Sequence, residues 1–239
     1  MLYHGRECYR KNSQLILFNF YKNLLLVLPQ LWYGFSNYFS SANIYDPWIY
    51  QLYNVVFTSF PIAIFAIYDM RYTRDESLKD PTLYREGLFN ALFNVRRVSI
   101  WFLFPIIFSY FISTLTFLGS ESTINSEGYM FDLIGSGMSI FAQCVIICNF
   151  RVLIISYKFT YGLLLSVIVG IVMYWVTMGF ASSIFPSSEI ANLTTLQMAS
   201  PEYWLLILQN CSIILLIELA VVQWRILGEK LTNHRKRLE

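Results

Sequence analysis

Charge is scarce in this chain: Asp, Glu, Lys and Arg make up 13% of its 239 residues, where a soluble domain carries about 25%. A water-exposed globule is therefore excluded as the main architecture. The devices of nucleotide and hydrolytic chemistry are also missing. The sequence holds no glycine-rich phosphate loop, no nucleophile elbow, no zinc-ligand spacing and no Asp-Lys-Thr-Gly phosphorylation sequence. No catalytic residue is assigned, and this polypeptide alone is not expected to hydrolyse ATP. Cysteine is limited to Cys8, Cys144, Cys148 and Cys211, all in the N-terminal segment or in apolar runs, so no disulfide framework is implied. Cys144 and Cys148 share a helix face, but no His or carboxylate joins them at ligand spacing, so no metal site is expected. A net charge of +2 is too small to suggest nucleic acid. The N-terminus lacks the signal-peptide design, because its first apolar run follows a basic stretch and continues for more than 20 residues.

What remains is apolar: 56% of the residues are hydrophobic. Lipid cannot satisfy backbone N–H and C=O groups, so unbroken apolar segments of about 20 residues must close their own hydrogen bonds as helices. Apolar runs between polar breaks place spans near 15–38, 48–68, 98–118, 131–150, 159–180 and 203–223. The expected fold is all-α, a polytopic transmembrane helical bundle of about six spans. Residues 1–14 form a cytosolic stalk end and 224–239 a basic cytosolic tail, while the stretch from Asp69 to Arg97 reads as a solvated loop or surface helix.

The distribution of cations tests that map. Of 17 Lys and Arg residues, three lie before the first span, six between Asp69 and Arg97, two in the 151–158 loop (Arg151 and Lys158), and five in the tail. The one left over is Lys22, inside the first span. The loops 39–47, 119–130 and 181–202 carry none. This asymmetry is the positive-inside pattern, and with an even number of spans it places both termini in the cytosol. Of two N-glycosylation sequons, Asn192 falls in a non-cytosolic loop and is the candidate, whereas Asn210 lies inside the last span.

Within the first span Asn19, Lys22, Asn23 and Gln30 fall in an arc of about 100° at 100° per residue, a polar stripe on an apolar helix. A mid-membrane lysine costs roughly 2.5–3.5 kcal/mol on insertion scales, which marks Lys22 as a functional candidate. The alternative is that its stem snorkels to the interface. Pro29 lies in the same span and bends it. In the second span Asn54 and Thr58 share a face with Pro61 beyond them, so two polar, bendable helices could line one groove or simply hydrogen-bond their neighbours. Glu218, the acidic residue well inside the last span, reads as a structural partner for a basic group, and Asp132 as a helix-start residue. Trp32, Tyr33, Trp48, Tyr50 and Trp204 read as interfacial anchors.

These residues resemble the pattern of the type IV P-type ATPases, the phospholipid flippases. His4-Gly5-Arg6 with Tyr9 and Arg10 is similar to that family's approach to its fifth membrane span, and Tyr21-Lys22-Asn23, Trp32 and Phe39-Ser40 resemble the span itself. Leu52-Tyr53-Asn54-Val55-Val56-Phe57-Thr58 with Pro61 resembles the sixth span, and Pro81, Leu83-Tyr84 and Gly87 the loop before the seventh. The likeness covers about residues 4–90, and the remaining four spans agree in number and spacing. It departs at Ser41-Ala42, where the family usually has Gly-Gln.

The resemblance implies ATP-driven phosphorylation of a cytosolic Asp, with Mg2+, that moves a phospholipid headgroup from the exoplasmic to the cytosolic leaflet. Lys22, Asn23 and Asn54 match positions beside the headgroup path, with Asn19, Gln30 and Thr58 as further candidates. It also implies a two-span accessory β-subunit, a plasma-membrane or endomembrane location, and a catalytic head supplied in cis or in trans, since the family's first four spans and its actuator, nucleotide and phosphorylation domains have no counterpart in these 239 residues. A non-catalytic scaffold that binds a flippase or its accessory subunit is the competing expectation. A stand-alone channel fits less well, because the acidic residues form no ring around a re-entrant loop.

Overall fold

A computed structural model describes residues 2–72, 76, 84, 87, 90–122, 132–184 and 197–238. Among them every regular element is helical. In chain order these are α1 (Leu2–Ser36), α2 (Pro47–Leu52), a π-helical turn (Tyr53–Phe57), α3 (Ser59–Tyr68), α4 (Val95–Ser122), α5 (Leu133–Ile155), α6 (Tyr161–Ile184) and α7 (Pro201–Leu238). With α2, the π turn and α3 taken as one span, six helices are long and apolar enough to cross a membrane. α1 shows no break at residue 14, nor α7 at residue 223, so residues 2–14 and 224–238 continue the helices they flank. Pro81, Leu83 and Asn192 lie outside the described residues.

The bundle is organised around α5. Its most apolar stretch is 72% buried, against 28–39% for the other five spans, and it packs against α1, α4, α6 and α7. Asp132 caps its N-terminus by accepting from the Leu133 amide at 2.7 Å. Asp46 does the same for α2, accepting from Trp48 and Ile49 ahead of a helix whose first residue is Pro47.

Two prolines explain how α5 holds its neighbours. A proline inside a helix removes the N–H that would bond the carbonyl four residues back. Pro29 orphans the Leu25 carbonyl of α1, and the Cys144 thiol of α5 donates to it at 3.4 Å. Pro61 orphans the Phe57 carbonyl, and Asn149 Nδ2 of α5 donates to it at 3.1 Å. The irregularity of the second span thus lies upstream of Pro61, at Tyr53–Phe57 and Thr58, where the sequence had pointed only to the proline itself. Cys144 and Cys148 are packing and hydrogen-bonding groups: Cys148 Sγ lies 3.1 Å from the Tyr53 hydroxyl.

Two glycines permit the close approaches. A Cβ at Gly170 of α6 would lie 2.7 Å from the Phe57 carbonyl oxygen, and one at Gly137 of α5 would lie 1.7 Å from that of Ile44. The segment between α1 and α2 is drawn over α5 in this way and is tied back to α1: Gln30 donates to the Ala42 carbonyl at 2.7 Å and accepts from the Ile44 amide at 3.0 Å. Tyr45 donates to the Leu26 carbonyl at 3.0 Å, and burial pushes its hydroxyl well above the ordinary phenol pKa, so it stays a donor. In this segment Ser41, at the site of departure from the family pattern, adopts φ 63°, a left-handed conformation that glycine takes without steric cost.

At the bundle end bearing the α1 N-terminus, Asp69 is 2% exposed and not solvated as its place in a polar stretch had suggested. Its Oδ1 accepts from Ser156 Oγ and from the amides of Tyr157 and Lys158 at 2.8–3.0 Å, and its Oδ2 pairs with Arg10 at 2.8 Å. Lys11 donates to the Ala66 and Ile67 carbonyls at the C-terminal end of α3, where a cation is favoured. Arg151 lies inside α5, 8% exposed, and pairs with Glu218 of α7 at 2.9 Å instead of sitting in a loop. Tyr21 of α1 donates to the same Glu218 oxygen at 2.6 Å, and the Arg151 guanidinium stacks 4.5 Å from the Trp101 ring of α4. Four helices meet there. Trp32, expected at an interface, donates to Ser109 of α4 at 2.9 Å.

Gly170→Ala is expected to lower the stability of the purified chain by about 1–3 kcal/mol through overpacking against backbone, measured as thermal unfolding in detergent. By the same assay Ser41→Gly is expected to raise stability, since the strain of a non-glycine residue at positive φ is about 1 kcal/mol. Arg151→Met leaves Glu218 buried and unpaired and is expected to cost about 3–5 kcal/mol. Adding Glu218→Gln, which keeps an acceptor for Tyr21 and removes the charge, is expected to restore most of that loss. If the double variant is no more stable than the single one, the charge pairing is not what holds these helices.

Candidate functional site

Lys22 sits on the buried side of α1, 5% exposed. Its ammonium donates to Thr58 Oγ1 at 3.2 Å. Thr58 lies eleven residues after Pro47 and ten before Tyr68 in a span of 22, so at 1.5 Å per residue it is roughly 15 Å from either end. The lysine therefore does not snorkel to an interface but holds its charge at the middle of the second span. The partner is the hydroxyl that terminates the π turn. Thr58 Oγ1 in turn donates to the Tyr53 carbonyl at 2.8 Å, which also accepts the Thr58 amide at 3.2 Å. The Tyr53 hydroxyl closes the loop by donating to the Lys22 carbonyl at 3.1 Å.

This interlock leaves the ammonium electrically unbalanced. A lysine carries three N–H donors, and the hydrogen bond found for it among the described residues goes to a neutral hydroxyl. The Phe18 ring lies 6.0 Å away, which is at the limit of a cation–π contact. No carboxylate among the described residues is within ion-pair distance of Lys22, in contrast to Arg151, which has Glu218. In general, a buried cation with spare donors is stabilised by contact with an anion.

The polar stripe of α1 does not point one way. It straddles the edge of the buried face: Lys22 is buried, Asn19 and Asn23 are exposed, and Gln30 is half-buried with its amide committed to residues 42 and 44. Asn54, in the π turn, is exposed, while Thr58 is fully buried. The structure joins Lys22 to Thr58 and leaves the three asparagine amides on the surface. Asn149 and Gly170, which shape the π turn, were not singled out from the sequence, and Tyr53 entered only as part of the stretch that resembles the family's sixth span. A signal for Asn149 existed, since a lone amide in an apolar run needs a partner and Pro61 orphans a carbonyl, but only the fold brings the two together.

Among the described residues no group of three or more His, Cys, Asp or Glu side chains could hold a metal ion. The ammonium and hydroxyl of the Lys22–Thr58 pair do not suit Mg2+, which takes oxygen ligands led by carboxylates.

A family model described as phospholipid-translocating P-type ATPase C-terminal matches residues 1–227. A phospholipid-transporting ATPase of Schizosaccharomyces pombe is 36% identical over 57% of this chain and 11% of its own length. Human phospholipid-transporting ATPase IC is 27% identical over 100% of this chain and 20% of its own length, and phospholipid-transporting ATPase DRS2 of Saccharomyces cerevisiae is 29% identical over 80% and 14%. The chain thus spans about a fifth or less of the length of these relatives. Because the match runs through all six helices and not through one motif alone, the chain belongs to the phospholipid-translocating P-type ATPase family and corresponds to its C-terminal membrane region.

Proposed function

We propose that this chain forms one side of the path by which a phospholipid headgroup crosses the membrane, with Lys22 as the group that meets the phosphate. The observation that carries this reading is the mid-span ammonium bonded to a hydroxyl and to no carboxylate among the described residues. A phosphate that has shed its water gains a charge-assisted hydrogen bond there, and the same contact relieves the cost of a cation held in low dielectric. Asn23 and Asn19, one turn apart on the exposed side of α1, and Asn54 on the π turn offer amides to the rest of the headgroup. Gln30 has a supporting part, holding residues 42 and 44 against α1. The acyl chains stay in the bilayer.

In this reading both termini are cytosolic, residues 1–14 are the end of a stalk, 15–223 the membrane domain and 224–239 a basic tail. Transport runs from the exoplasmic to the cytosolic leaflet. Its energy comes from ATP hydrolysed with Mg2+ on a catalytic head in cis or in trans, and a two-span accessory subunit binds from the exoplasmic side. The clamp of Arg10 and Lys11 onto Asp69 and the end of α3 gives motion of the stalk a direct hold on the second span.

Lys22→Met tests the assignment in two ways. In the assembly with its catalytic head, uptake of a fluorescent phosphatidylserine analogue is expected to fall at least tenfold. In the purified chain, thermal stability is expected to rise, because a buried charge is removed and only one neutral partner is lost. A structural lysine would give the opposite stability change, and a non-catalytic scaffold would keep uptake unchanged; either result would sink the proposal.

A further inference from the structure

A cavity of about 430 Å³ opens between α4, α5 and α7 at the end of the bundle whose loops carry no Lys or Arg. Its deep wall is polar. Thr116, Ser136, Ser139 and Asn210 line it and are 1–4% exposed. Asn210 and Thr116 are fixed by Gln143 of α5: Asn210 Nδ2 donates to Gln143 Oε1 at 3.1 Å, and Gln143 Nε2 donates to Thr116 Oγ1 at 3.1 Å. Nearer the mouth stand Ser120, Gln209 and Glu202. The Glu202 oxygen Oε2 is buried and has no hydrogen-bond partner among the described residues. Leu118 and Leu205, also in the lining, are 60% and 65% exposed on the outer surface of the bundle, so the cavity opens sideways between two apolar flanks.

The chemistry of the lining selects its ligand. Among the described residues, hydroxyls, carboxamides and one carboxylate surround the space, and no Lys, Arg or His does. A phosphate would have to leave water with no cation to meet it and with Glu202 opposing it. A hydroxyl donor suits the unpartnered carboxylate oxygen, and an apolar body suits the leucine flanks. We propose that this cavity binds a hydroxyl-headed lipid without phosphate, of the sterol or ceramide class, whose hydroxyl donates to Glu202 and whose apolar body passes between Leu118 and Leu205. The lining offers a phosphate no cation and one opposing carboxylate, so the ligand is a companion lipid and not a phospholipid. The proposal does not depend on the role given to Lys22.

The test uses the full chain in phosphatidylcholine nanodiscs with a diazirine-bearing sterol, the attachment sites being mapped by mass spectrometry. Labelling is expected on residues 115–120 and 202–210. Excess unlabelled sterol or ceramide should reduce it at least fivefold, the stronger competitor naming the class, while phosphatidylserine should leave it unchanged. Glu202→Gln is expected to reduce labelling at least threefold, and Ser139→Ala, which removes one hydroxyl of the lining, should reduce it measurably; both variants should elute as folded protein. Labelling spread evenly over the lipid-facing surface, equal competition by phosphatidylserine, a cavity that takes up only water, or labelling unchanged in both folded variants would each overturn the assignment.

Discussion

A backbone carbonyl inside a bilayer has no water to turn to, and this constraint organises the whole bundle. Pro29 and Pro61 each strip a carbonyl of its helical donor, at Leu25 and Phe57, and in both cases the replacement donor is a side chain of α5, Cys144 or Asn149. The helix that supplies both must be central, which is why α5 is the most buried of the six. The glycines follow from the same need, since Gly170 gives the Phe57 carbonyl room to reach Asn149 and Gly137 lets the Ile44 backbone lie on α5. The π turn is then the local form taken by a span whose Phe57 carbonyl is satisfied from outside itself.

The buried cations Arg151 and Lys22 differ in kind. Arg151 has a carboxylate, a phenol on that carboxylate and an aromatic face, all from different helices, so its charge is neutralised and its planar group is held. Lys22 has a hydroxyl. The first arrangement fixes the positions of α1, α4, α5 and α7 relative to one another. The second leaves a charge available at mid-span, next to the one stretch of irregular helix among the described spans. In membranes, irregular backbone beside an unpaired ionisable group is tolerated where it faces protein or a polar passage.

The connection between the two ends of α1 is equally direct. One unbroken helix carries Arg10 and Lys11, clamped to Asp69 and α3, and, 18 and 19 residues past Lys11, Pro29, whose orphaned Leu25 carbonyl is tied to α5, and Gln30, tied to the segment before α2. Lys22 lies between these two anchors. A displacement of the N-terminal part of α1 therefore reaches the Lys22–Thr58 contact through helix and hydrogen bonds, without an intervening loop.

The sequence by itself determined that this is a multi-pass helical membrane protein, because length and hydropathy leave lipid-embedded backbone no other way to close its hydrogen bonds. It also singled out Lys22, since a lone cation in an apolar run has a cost wherever it points, and it marked Glu218 as needing a basic partner. Only the tertiary structure decided which partner. Arg151, assigned to a loop by its place at the end of an apolar run, became that partner because α5 continues past it to Ile155. Asp69 moved from a solvated stretch to a buried hub for the same reason: hydrogen bonding to residues 87–89 positions away is invisible to local pattern. The polar stripe of α1 was legible as a stripe, but which of its members would be buried depended on where α5 and the π turn press against the helix. Periodicity gives the faces of a helix, whereas the partner of each face is set by contacts between segments far apart in the chain.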